Sequence, residues 1–278
     1  MNNYRVLLAV VLSLSASLAQ STSTTASALH VSSPIILEAK QTPANCHVAP
    51  QVQAFKTCTY GPRKSSFHIA IIGDSHLRQY QSAIFALAKR YAWSVTYVSK
   101  SACPMVDPLL KPATMGNETC RWWNDKRQEY LAGHKAFDLV INSQSSFITH
   151  SHREAGAAYA SAVAKITERG TQVLLITDNP KGISKVGECL QSLARARAGA
   201  CNNTRAKATE KVDPMPAAVA ANPMVKVADF VSAYCTDTIC FGYRSGIKVY
   251  KDLSHISEAW AIHLTSRLDA VVPTKYKK

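Results

Sequence analysis

Residues 68–80 read HIAIIGDSHLRQY. Ile69-Ala70-Ile71-Ile72 is short, continuous and apolar, the pattern of a buried strand. It stops at the small polar tetrad Gly73-Asp74-Ser75-His76. Leu77, Tyr80, Ile84, Leu87 and Ala88 then recur at helical spacing, which predicts a helix over 77–91. Two readings of the tetrad compete. Asp74 or Ser75 can simply cap the following helix, since both residue types are favoured there. Alternatively, Ser75 is held up at the end of a buried strand as a nucleophile, with its N–H at a helix start able to face a developing negative charge.

Outward from this stretch, strands and helices alternate. Strands are predicted over 93–98, 137–141, 172–177 and 225–230, and helices over 122–132, 155–169 and 257–271. That alternation indicates βαβ units, a mostly parallel sheet and an α/β fold, with sites at the carboxyl ends of the strands. Residues 189–223 are rich in Ala, Lys and Arg and include Asp213-Pro214 and Asn222-Pro223, so they read as an irregular excursion between sheet elements.

The 278 residues are 47% hydrophobic and 18% charged, a globular composition. Asn2-Asn3-Tyr4-Arg5, an apolar stretch from Val6 to Ala16 and Ser17-Leu18-Ala19 match a secretory signal over 1–19, too short to span a bilayer comfortably. A Ser/Thr/Ala/Pro-rich linker over 20–45 follows, with the catalytic domain expected over 46–278. The eight cysteines all lie beyond the leader, in keeping with an oxidising compartment, secreted or periplasmic. They fall into four sequence-local couples, Cys46 with Cys58, Cys103 with Cys120, Cys189 with Cys201 and Cys235 with Cys240, and these are the expected disulfides, although eight cysteines allow 105 pairings. Their spacings supply no zinc knuckle, so no metal or cofactor is expected. The net charge of +14 favours anionic partners such as a glycan or a membrane surface, or is a solvated basic surface. No nucleic-acid motif accompanies it.

A second stretch, YKDLSHIS over 250–257, gives Ser75 its partners. Asp252 and His255, three apart, can lie on one turn, the carboxylate holding the imidazole in the tautomer that leaves its other nitrogen free as a base. Alone, this pattern is also a helix start. His76 either contacts substrate or packs at the helix start. Trp122-Trp123 is a sugar-stacking platform or a core anchor beside Cys120. His68, His150 and His152 are assigned to loops or surface.

With both blocks in one alternating chain, the sequence resembles the SGNH (GDSL-like) hydrolases, and more narrowly the SGNH domains fused to membrane acyltransferase-3 proteins that modify bacterial surface polysaccharides. Gly73-Asp74-Ser75-His76 and Asp252-Leu253-Ser254-His255 carry the resemblance. Cysteine landmarks agree with it: Cys58-Thr59-Tyr60-Gly61, Cys103-Pro104, and Cys235 with Cys240. The resemblance covers roughly 46–272. It implies a three-layer α/β/α, flavodoxin-like fold and ester chemistry on acyl groups, with Ser75 as nucleophile, His255 as base, Asp252 as its orienter and the Ser75 N–H as one oxyanion donor. Two family blocks match poorly. No glycine follows the second strand, where Lys100-Ser101-Ala102-Cys103 stands. Gly-x-Asn after the third strand is replaced by VINSQSS, in which Asn142 or Gln144 could substitute as donor. The expected function is an exported O-acyl esterase or O-acyltransferase on cell-envelope carbohydrate, with acetyl as the acyl group the resemblance implies, its partners an acylated carbohydrate or acyl donor and a membrane acyltransferase. The alternative is a non-catalytic glycan-binding or scaffold module.

Overall fold

A computed structural model describes residues 46–110, 118–146 and 152–278, the last stretch without the side chain of His152. The leader, the linker and His150 lie outside the described residues. In chain order the elements are β1 (His47–Val48), β2 (Cys58–Tyr60), β3 (His68–Gly73), α1 (Ser75–Arg78), α2 (Gln81–Arg90), β4 (Ser94–Lys100), α3 (Glu118–Gly133), β5 (Leu139–Ser143), α4 (His152–Thr167) and β6 (Gln172–Ile176). There follow α5 (Val186–Cys189), α6 (Leu193–Arg197), β7 (Asn203–Thr204), α7 (Arg205–Ala208), α8 (Met215–Val219), β8 (Val225–Ala228), α9 (Val231–Tyr234), β9 (Ile239–Cys240), β10 (Tyr243–Arg244), β11 (Ile247–Lys248), α10 (Glu258–His263) and α11 (Thr265–Val271).

The central sheet has seven strands in the order β1-β4-β3-β5-β6-β8, with β2 also on β4. All its pairings are parallel except β2 on β4. The continuous apolar run in β3 is explained by burial on both faces. Ile69 and Ile71 join one core with α2, α10 and α11, whereas Ala70 and Ile72 join another with α3 and α4. The fold is therefore the three-layer α/β architecture expected.

Chain order reverses at β3. The next strand, β4, lies on one side of it and the one after, β5, on the other. In open α/β sheets this switch leaves a crevice beyond the carboxyl ends of the strands. Gly73 makes the crevice tight, because a Cβ there would stand 2.1 Å from the Ser143 carbonyl oxygen.

Two predicted helices are each broken in two. The first gives way at Gln79–Tyr80, where the Tyr80 N–H bonds to Leu77 O at 2.9 Å, an i−3 contact that tightens the turn. Tyr80 then buries itself with its hydroxyl 3.0 Å from that of Tyr234. The last helix breaks at Leu264, whose N–H is shared between Trp260 O and Ala261 O. The excursion is more regular than its composition suggested, with four short helices in 186–219. Disulfides pair Cys46 with Cys58, Cys103 with Cys120, Cys189 with Cys201 and Cys235 with Cys240, the four local couples.

Candidate active site

Ser75 opens α1, and Asp74 is its N-cap, accepting the His76 N–H at 2.8 Å. The capping reading and the nucleophile reading of the tetrad thus divide between neighbours. Asp74 caps, and Ser75 stays free to reach forward. The other Asp74 oxygen accepts the Ser145 N–H at 3.0 Å. Burial pushes the Asp74 carboxyl up, against the pull of His76 and of these N–H groups.

The turn carrying His255 comes from 180 positions away. It is closed by Lys251 N–H to His255 O at 2.9 Å and stapled by Asp252, whose Oδ1 accepts the N–H groups of Ser254 and His255 at 3.1 and 2.9 Å. The segment is thus an Asx-type turn ahead of the helix. Ser257 caps α10 by accepting the Trp260 N–H. Neighbouring loops hold the turn. Gln79 Oε1 accepts the Ile256 N–H at 2.8 Å, Asn179 Nδ2 donates to Ser254 O at 2.8 Å, and Gly182 N–H donates to Leu253 O at 2.9 Å.

These contacts bring His255 Nε2 to 2.9 Å from Ser75 Oγ, while its Nδ1 lies 2.9 and 3.0 Å from the two Asp252 oxygens. With Nδ1–H donating to the carboxylate, the Nε2 lone pair is aimed at the serine hydroxyl. Burial works against the Asp252 charge, but the N–H groups and His255 outweigh it and hold its carboxyl below the usual carboxylate range.

The three residues line an open cleft of 680 Å³ together with His47, Arg78, Gln79, Ser101 and Lys251. Ala49 and Pro50 also line it, in a segment pinned by the buried Lys100, whose Nζ donates to Ala49 O and Val52 O at 2.9 and 2.7 Å. His47 Nδ1 lies 2.6 Å from Ser99 Oγ. Burial, with Arg78, His255 and Lys100 nearby, pushes its imidazole down to about 4, so it is neutral at pH 7.

Other expected site residues stand elsewhere. His76 does not line the cleft; it is 2% exposed, with Nδ1 2.5 Å from Asp178 Oδ1. Trp122 packs partly against the second core and lines a separate depression with Leu109 and Asp125. Asn142 is buried within β5 and its Nδ2 donates to Ile72 O at 2.6 Å, which turns the amide into the sheet. Gln144 Oε1 accepts the Met105 N–H at 2.8 Å. Ala102, where the family's glycine was sought, adopts φ 52°, the left-handed region that glycine favours. Among the described residues no cluster of His, Cys, Asp or Glu could hold a metal ion.

Sequence reasoning missed His47, Gln79, Asp178 and Asn179. Only Asp178-Asn179 left a signal, a polar pair directly beyond the apolar run of β6.

The model of the SGNH domain, fused to AT3 domains, matches residues 45–270. No curated protein matches the sequence. Among solved structures, the periplasmic domain of a lipopolysaccharide acetyltransferase from Salmonella ser. Paratyphi A is similar at 14% identity and a TM-score of 0.56, covering 75% of this chain and 84% of that one. A catalytic mutant of the acetylxylan esterase Axe2 from Geobacillus stearothermophilus aligns at 12% identity and a TM-score of 0.46, over 77% of this chain and 97% of that one.

Proposed function

The chain belongs to the family of SGNH domains fused to AT3 domains, and from that membership we propose that it is an exported serine esterase or O-acyltransferase acting on acylated cell-envelope carbohydrate through Ser75, His255 and Asp252. The observation that carries this reading is the 2.9 Å contact of Ser75 Oγ with His255 Nε2, backed by Asp252, at the mouth of an open cleft.

Ser75 Oγ attacks the acyl carbonyl carbon as its proton passes to His255 Nε2, and Asp252 stabilises the imidazolium. Collapse of the tetrahedral intermediate expels the donor alcohol, which takes that proton, and leaves an ester on Ser75. Water or a sugar hydroxyl then attacks the ester, giving its proton to His255. The products are a carboxylic acid or a new ester, and Ser75 recovers its proton. The N–H of Ser75, at a helix start where no intrahelical acceptor exists, faces the oxyanion. We assign the second donor to the Ala102 N–H, next to the cleft-lining Ser101 whose own N–H is taken by Val48 O, rather than to Asn142, whose amide bonds Ile72 O.

Arg78 and Lys251 at the cleft suit an anionic glycan. The acetyl group fits the printed name of one structural neighbour, an acetyltransferase domain. A membrane acyltransferase is the proposed acyl supplier, since the family's SGNH domains are fused to AT3 domains. The domain occupies 46–278 behind a cleaved leader over 1–19 and a linker over 20–45, in the periplasm or outside the cell, where four disulfides persist.

The test is hydrolysis of a small acetyl ester by the oxidised protein. Ser75→Ala is expected to lose on the order of 10⁶-fold in rate, and Asp252→Asn about 10⁴-fold. Equal rates for wild type and Ser75→Ala would leave a glycan-binding module instead. Acetylated polysaccharide appearing when acceptor is added distinguishes transferase from esterase.

A further inference from the structure

Behind His255 lies a second imidazole–carboxylate pair, closed off from the cleft. His76 Nδ1 and Asp178 Oδ1 are 2.5 Å apart, with side chains 2% and 3% exposed. The His76 ring centroid is 4.8 Å from that of His255. Asp178 is fully engaged. Oδ1 also accepts the Asn179 N–H at 2.9 Å, and Oδ2 accepts the N–H and the hydroxyl of Ser146, each at 2.7 Å. Asp74 bonds the His76 N–H with one oxygen and the Ser145 N–H with the other. Residue 76 is therefore tied, through its ring and through its backbone, to two consecutive N–H groups of the segment that follows β5. Because β5 pairs directly with β3, with Gly73 opposite Ser143, that segment borders the nucleophile.

A buried ion pair is costly to desolvate, and apolar side chains of similar volume often stabilise a fold as well or better. Stability alone is a weak reason for placing one against the base of the site. We propose that the His76–Asp178 pair is a positioning device for the reaction at Ser75, locking the Ser145–Ser146 segment to the nucleophile's helix and setting a fixed cation behind His255. The proposal rests on the catalytic reading of Ser75 and His255 and deepens it.

The groups facing His76 are the carboxylates of Asp74, Asp178 and Asp252 and the ring of His255. Behind Asp178, the Asp213 carboxylate accepts the Asp178 N–H at 3.1 Å. Burial opposes charge on His76, but Asp178 outweighs it and lifts the imidazole up to about 9. Burial likewise opposes charge on Asp178, yet His76 holds that carboxyl below its ordinary range. At pH 7 both are ionised.

The test is the pH–rate profile of acetyl-ester hydrolysis by the oxidised full chain and three variants. His76→Gln is expected to lose on the order of a hundredfold at the plateau, with its acidic limb displaced upward by about one pH unit, because Asp178 then faces His255 uncompensated. Asp178→Asn is expected to lose rate with no upward displacement. The double variant is expected to be no slower than the slower single variant, since the two residues act as a unit. A merely structural role would lower the rate with the limb in place, and that result overturns the proposal, as does a wild-type profile for His76→Gln. Should His76→Gln fail to fold, the imidazole NMR signals of the Ser75→Ala chain decide. His76 remains an imidazolium through pH 8 if the proposal holds; titration below pH 7 overturns it. Full activity in Ser75→Ala would remove the catalytic reading and this proposal with it, an outcome distinct from an unmoved limb.

Discussion

Gly73 has no room for a methyl group. Besides the Ser143 oxygen at 2.1 Å, its Cβ would meet Leu77 Cβ at 2.8 Å, so the backbone of β3 or β5 would have to move. Gly73→Ala is expected to destabilise the fold by about 2–4 kcal/mol, read as a lowered urea midpoint, and to slow hydrolysis in whatever protein remains folded, since the displaced backbone carries Asp74 and Ser75. Glycine, serine and the Asp252/His255 couple were legible in the sequence because each lies in a dense local block whose chemistry is visible without the fold. His76 was visible too, but its role was not, because the carboxylate that fixes it stands 102 positions away. Gln79 and Asn179 share that difficulty; their side chains meet at 2.6 Å across 100 positions, nothing local marks Gln79, and the polar pair beyond β6 does not say what Asn179 reaches. The donor expected of Asn142 was a matter of direction. Sequence places the residue at a strand end, and only the pleat decides that its amide points to Ile72 O.

At the scale of elements, the strands were the most legible, since burial on both faces leaves an unbroken apolar run. The helix breaks at Tyr80 and Leu264 were not, because the apolar spacing continues through both and the interruption is an i−3 hydrogen bond, alone at Tyr80 and shared with the i−4 carbonyl at Leu264. β1 was invisible. Two residues carry no periodicity, and its pairing is supplied by β4, with the Cys46–Cys58 bridge linking it to β2. The bridges themselves differ in the length of chain they close, 17 positions for Cys103–Cys120 against 5 for Cys235–Cys240. In the chain-entropy account, replacing the first pair by serines is expected to lose about 3 kcal/mol and the second about 2 kcal/mol. Denaturant titration of the two double variants checks the order. Reversal of that order would mean that native packing, rather than loop closure, sets their contributions.

For the whole molecule, pH acts through groups of opposite habit. His47 is a base whose imidazole falls to about 4 on folding, largely through burial, so the native state resists its protonation. Its effect is to remove stability as pH drops from about 6.5 toward about 4. Asp213 is an acid lifted to about 6, again chiefly by burial. Its contribution is full below its unfolded value and is lost as pH rises through about 6. The two slopes oppose each other across the same window. His47→Gln is therefore expected to gain thermal stability relative to wild type on acidification from pH 6.5 to 4, and Asp213→Asn to gain relative to wild type as pH rises to 6. Melting temperatures at half-unit intervals test both, and parallel curves for variants and wild type would refute the assignment. The His76–Asp178 pair sets outer limits. His76 contributes fully below about 6.5 and loses its contribution as pH rises through about 9, whereas Asp178 loses its own in acid.

The short strand β1 has one more consequence, a matter of orientation. His47 lines the cleft and Cys46 precedes it directly, so the polypeptide enters this fold at the rim of its own cleft. That edge is anchored covalently by the Cys46–Cys58 bridge and in register by β4, so whatever enters the cleft meets a fixed His47 there.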